Sequence, residues 1–224
     1  MSLSKAKYAY SGAYEQTPVR ADLVVRPDLL RVSFSVSLEA EGVEQGLPLL
    51  QRACEQLQRR SREALGTEVG LRPRDARFVK PAPKKLSFPE DDERTSVTVD
   101  GTLEVPLPQG LDFWARSSRV GTLTRVCHEL QHESREEKRR PRFTFGTVEA
   151  LVSQPESHRA ELLLRFVARV RELAAAAGSP EAPLHVVDCG PAGPVEQAPV
   201  SLEEVGLTLH VHCRLDVLRP PPSP

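Results

Sequence analysis

The residues best equipped for chemistry lie near the end of the chain, where His210 and His212 stand two apart in EEVGLTLHVHCRLDVL. On a strand that spacing turns both imidazoles to one face, beside Thr208, Arg214 and Asp216. Two histidines at i and i+2 can supply two ligands of a tetrahedral zinc site, with His185 or Asp188 as a third. The same spacing also describes a solvated polar strand face that needs no ion. That plainer reading is adopted, so neither a metal nor a cofactor is expected.

Cys127, His128 and His132 are also close in sequence, and a Cys/His pair is the minimal set for an activated thiolate. Cys127, however, falls on the apolar stripe of a helix-like segment and His128 on another side, so the thiol is read as buried and inert. Ser157 adjoins His158 at a helix start, where N-capping accounts for the serine. Lys138, Arg139, Arg140 and Arg142 in REEKRRPR, and Lys80, Lys84 and Lys85 near Phe78 and Phe88, are residue types that touch phosphate. Acids interrupt or flank both runs, so each reads as a solvated loop and no nucleic-acid partner is expected. The chain has no Gly-rich phosphate loop, no G-x-S-x-G, no H-E-x-x-H and no paired zinc motif. No catalytic residue is assigned, and the chain is expected not to be an enzyme.

The elements around these residues are legible from their periods. Strand-like sequence runs from about Leu23 to Glu41; within it Leu30, Val32, Phe34, Val36 and Leu38 alternate with Arg31, Ser33, Ser35, Ser37 and Glu39. Leu47, Leu50, Cys54, Leu57, Ser61 and Leu65 then follow helical spacing, with Pro48 in a first turn and Gly66 as the stop. A proline-broken segment follows, with room for an edge strand at about Ala76 to Lys80. Val97, Val99, Leu103, Val105 and Leu107 mark another alternating strand, in which Gly101 predicts a bulge.

Phe113, Trp114, Val120, Leu123, Val126, Cys127 and Leu130 mark a second helix, and RFTFGTVEALVS a third strand. The third helix begins with Ser157 as N-cap and ends at Gly178. Leu162, Leu163, Phe166, Val167, Val170 and Leu173 form its broad face, predicted to be buried. LHVVDCG, a Pro/Gly-containing loop, and a final strand alternating from Val205 to Val217 complete the series. Alternation in the strands, rather than continuous apolar runs, predicts an α+β fold: antiparallel or mixed sheets with helices packed on one face. Residues 1–20, with Tyr8, Tyr10 and Tyr14, read as a polar arm; residues 21–218 as one α+β domain; residues 219–224 as a Pro-rich tail.

Composition agrees with a globular chain: 224 residues, 39% hydrophobic and 27% charged. Thirty basic and 31 acidic residues give a net charge of -1, which offers no global attraction for nucleic acid or an anionic membrane. No apolar run is long enough to span a bilayer, and no apolar leader is visible at the N-terminus. The expected location is cytoplasmic, or periplasmic if the chain is a processed form. The four cysteines show no C-x-x-C spacing and are read as reduced, mostly buried small hydrophobes.

The ordered pieces VRPDLLRVSFSVSLEAEG, SVTVDGTLEVPLPQGLDFW, RFTFGTVEALVSQPESHRAELLLRFVARVRELAAAAGSP and GLTLHVHCRLDVL resemble the SIMPL domain, or DUF541, family. That family includes periplasmic immunogenic proteins of Gram-negative bacteria, and the likeness runs along residues 22 to 218. The resemblance implies two intertwined βαβ-like halves, a tendency to assemble into rings, and no established catalytic residues. The expected function is therefore non-enzymatic, acting through homo-oligomeric assembly or contact with a protein partner, by strand-edge pairing or docking of polar sheet faces. The alternative is a small-molecule or metal-binding module using the His210/His212 face.

Overall fold

The computed structural model describes residues 22–66, 68–79, 94–136, 140–178 and 184–217. In chain order these form β1 (Leu23–Val25), β2 (Leu29–Ala40), α1 (Val43–Leu65), β3 (Gly70–Val79), β4 (Thr95–Pro106), α2 (Phe113–Glu136), β5 (Arg142–Leu151), a 3-10 turn at Pro155–His158, α3 (Arg159–Ala177), β6 (Leu184–Cys189), β7 (Val195–Pro199), β8 (Val205–Leu209) and β9 (Cys213–Val217). Every strand pair is antiparallel, and the fold is α+β as the alternation predicts. The arm and the tail lie outside the described residues, as do Lys80, Lys84, Lys85, Phe88, Lys138 and Arg139.

The larger sheet has the order β3-β4-β2-β5. Its inner face carries Leu30, Val32, Phe34, Val36 and Leu38 from β2 and Val97, Leu103 and Val105 from β4, all buried. Against them pack Leu50, Ala53, Cys54 and Leu57 of α1 and Leu123, Val126, Cys127 and Leu130 of α2, forming the main core. α1 uses the stripe its sequence displays from Leu50 onward, Leu47 in its first turns being exposed, and Gly66 ends it with φ 102, a backbone that glycine adopts without strain. α2 begins where Asp112 Oδ1 accepts the Ala115 N–H at 2.8 Å.

The chain from Leu23 to Glu41 is not one strand. Arg26, Pro27 and Asp28 interrupt it, and β1 pairs with β8 in a second sheet of order β1-β8-β7. The predicted loop before the final strand contains β7, which together with β8 forms a hairpin turned at residues 200–204. β6 and β9 continue that hairpin as a separate two-stranded ribbon. Leu23, Val152, Leu162, Val195, Val205, Leu207 and Leu209 form a second, smaller core. Arg116 of α2 reaches the junction: it is 1% exposed, donates to the Pro27 and Leu202 carbonyls at 3.0 and 3.2 Å, and pairs with Glu203.

Two further expectations are corrected. Gly101 is not a bulge; it stays in register opposite Phe34 and Pro73, and the extra residue is Arg74 on β3. A Cβ on Gly101 would lie 2.6 Å from Cζ of Phe34 and 2.8 Å from the Arg72 carbonyl oxygen, so the glycine makes room for a ring. Phe113 and Trp114 do not enter the core; they meet edge-on at 5.3 Å on the surface, Trp114 being 77% exposed. The predicted edge strand is longer than expected, spanning all of β3.

Candidate functional site

The polar residues of β2 project from the outer face of the large sheet. There Arg31 lies opposite Glu104, Ser33 opposite Thr102, Ser35 opposite Asp100 and Ser37 opposite Thr98. Glu104 is held by two guanidinium groups, Arg31 NH2 and Arg72 Nε, each at 3.1 Å. Asp100 accepts hydrogen bonds from Ser35 and Arg77; the Ser35 hydroxyl above all, then Arg77, holds its carboxyl below the usual range. That lowering keeps Asp100 charged and unsuits it for proton transfer near neutral pH.

Bulges distort both sides of this face. Arg74 is the extra residue of β3, and β5 carries Gly146 and Thr147 opposite Ser33 alone. The resulting shallow cleft, of ≈ 370 Å³, is lined by Ser33, Ser35, Arg74, Asp100, Thr144 and Gly146, among others. Gly146 lies directly against the Ser33 hydroxyl, which would have to turn aside for any larger residue. The lining residues include no histidine or cysteine to accept a proton from a serine, so the cleft offers hydroxyls and a guanidinium for contact rather than a nucleophile. Periodicity placed Ser33 and Ser35 on this face; Arg74, Asp100 and Thr144 joined them only through pairing register.

The histidines are arranged differently from the expectation. Residues 210–212 are a break between β8 and β9, so His210 and His212 do not share a regular strand. Their carbonyls accept the N–H groups of Gly193 and Gly190 at 3.0 and 2.9 Å, which carries the hairpin across the break. His210 Nε2 lies 3.4 Å from Glu196 Oε2, and both side chains are exposed. Asp188 is exposed on β6. Among the described residues no three His, Cys, Asp or Glu side chains group as metal ligands.

The same segment overturns the reading of two cysteines. Cys189 and Cys213 form a disulfide between directly paired residues of β6 and β9, with Cα atoms 4.1 Å apart. The register of a long hairpin brings together residues separated by 24 positions, which no local period reveals. Cys54 and Cys127 are free and buried; burial pushes their thiols up to about 11 and about 12, so neither is a thiolate at neutral pH. His128 and His132 face each other along α2, with ring centroids 6.5 Å apart, away from that inert thiol.

α3 departs most from its predicted environment. A 3-10 turn precedes it, and Ser157 Oγ donates to the Gln154 carbonyl at 2.7 Å instead of capping the helix. Of the six residues expected to be buried, only Leu162 is; Phe166 and Val170 are half-buried. Leu163 is 36%, Val167 44% and Leu173 56% exposed, and Leu164, at 73%, faces outward. The narrow support beneath is the cause: α3 packs mainly on β8 and β6, five and six residues long, too little surface to cover a 19-residue helix. Arg165 and Arg169 tie the helix to Asp22 just ahead of β1.

Together these features define a class: an α+β protein with a charge-paired, hydroxyl-rich open sheet face and a helix whose apolar side chains face outward. No family model matches the chain, and no curated protein matches it. No helix among the described residues is long and apolar enough to cross a membrane.

Proposed function

We propose that this chain is a non-enzymatic, SIMPL-like protein that works by assembling with copies of itself or by docking on a protein partner. The observation that carries this reading is the outward-facing apolar row of α3, where Leu163, Leu164 and Val167 stand together in solvent; Phe113 and Trp114 at the start of α2 are a second exposed apolar pair. Contiguous apolar surface of this kind marks contact sites more often than isolated exposed residues do. Edge pairing through β3 is a poor route. Pro73 removes a donor, Arg74 bulges, and Arg72, Asp75 and Arg77 line the strand, all features that keep edges from pairing. The charge-paired sheet face is a second surface available for a neighbour.

Light scattering at several protein concentrations tests the reading, with the mass expected to exceed one chain or a co-purifying protein to be present in fixed ratio. A monomer at every concentration with nothing bound overturns it. The alternative, a metal- or small-molecule-binding module at His210 and His212, draws support from the His210–Glu196 pair. A zinc titration followed by thermal melting measures it directly.

A further inference from the structure

We infer that α3 is a self-docking helix, meeting α3 of a second copy in antiparallel orientation about a two-fold axis between Ala168 and Arg169. This rests on the assembly reading above and names its surface. Leu164, Val167, Ala168, Arg171 and Ala175 recur at i, i+3, i+4, i+7 and i+11, so they share one side of the helix, with Leu163 and Ala174 along its margin. All but Ala174 are exposed, and Ala174 is half-buried.

Two properties of this row are complementary to themselves only when one helix is reversed. The first is size. The row is bulky at its N-terminal end, with Leu163 and Leu164, and small at its C-terminal end, with Ala174 and Ala175. An antiparallel pair sets leucines over alanines at both ends, the large-on-small arrangement that fills space between helices; a parallel pair stacks leucine on leucine and leaves the alanine end hollow.

The second is charge. Arg165 and Glu172 lie on the same flank of the row, seven residues apart, so the axis places Arg165 of each copy opposite Glu172 of the other. Within its own chain Arg165 bonds Glu161 at 2.8 Å, whereas Glu172 has no ion-pair partner among the described residues. The stem of Arg171 extends the apolar row while its head reaches water.

The test uses the full chain. Leu164→Glu, at an exposed position, should keep the circular dichroism spectrum and melting temperature while raising the dissociation constant of the dimer by about 30-fold or more, as loss of a central contact does. Glu172→Arg should weaken association, and Arg165→Glu in the same chain should restore it. Under mild oxidation Ala168→Cys should link two copies, and Ala175→Cys should not. Linkage at 175 but not 168 overturns the antiparallel pair. Association unchanged by Leu164→Glu also overturns the inference, whether the row is covered by the chain's own first 21 residues or by another protein, yet leaves assembly through a different surface standing. A monomer at every concentration removes both.

Discussion

At the scale of single residues, Gly101 shows how one position holds the large sheet together. It sits under the Phe34 ring, which in turn meets Phe143 at 6.5 Å, so the ring covers the glycine and closes the inner face above β4. Gly101→Ala would gain strand propensity of about 0.5–1 kcal/mol but force the ring or the Arg72 carbonyl to move. A net loss of about 1 kcal/mol is expected in urea unfolding, since overpacking a tight core site costs about 1–3 kcal/mol and the propensity gain offsets part of that. Unchanged stability would mean that the Phe34 ring is not packed as described. The sequence marked Gly101 as irregular. Its reason, a ring on the facing strand, was not legible because the β2–β4 register depends on chain segments 67 residues apart (101 against 34).

At the scale of elements, the β6–β9 ribbon pairs with no other strand among the described residues and leans on α3 through β6; two strands by themselves are marginal in water. The Cys189–Cys213 disulfide clips it at the end nearer the second sheet. Closing a loop of this length limits the unfolded chain by about 3 kcal/mol in the entropic account. A dithiol reductant should therefore lower the melting temperature of the native chain and leave that of the Cys189→Ser/Cys213→Ser variant unmoved; equal shifts in both would count against the clip. Thiol counting on the unfolded, unreduced chain should find only Cys54 and Cys127 reactive. α1 behaves oppositely to α3: four of its six stripe residues, Leu50, Cys54, Leu57 and Ser61, are buried, with Leu65 half-buried and Leu47 exposed, because the four-stranded sheet is broad enough to cover most of it. α3 has the same kind of stripe over a narrower support, so burial falls from Leu162 to Leu173.

At the scale of the molecule, the two cores meet at Arg116. Its guanidinium bonds the carbonyls of Leu111, Pro27 and Leu202 and pairs with Glu203, while Arg26 also reaches Glu203 and the Leu111 carbonyl. Burial, and then the nearby Arg26 cation, pull its pKa below the usual arginine value, and Glu203 pulls it back up; the group remains charged. Arg116→Met preserves the aliphatic stem but takes the guanidinium donor from the Pro27 and Leu202 carbonyls and leaves Glu203 and the Leu111 carbonyl to Arg26 alone. A loss of about 3 kcal/mol is expected from removing one member of a buried network of this kind. Urea unfolding read by fluorescence, together with hydrogen exchange at residues 200–204, measures it. A loss below about 0.5 kcal/mol, the range of ordinary surface substitutions, would show that the junction is held elsewhere.

The sequence by itself determined the α+β class, the inner face of β2 and β4, the stripe and stop of α1, and the inert character of Cys54 and Cys127, because each follows from a local period of two or 3.6 residues. Tertiary structure alone decided which sheet β1 joins, the break at His210–His212, the Cys189–Cys213 pairing, the two bulges beside Ser33 and Ser35, and the exposure of α3. These depend on register between distant segments and on how much sheet lies beneath a helix, quantities that no window along the chain contains.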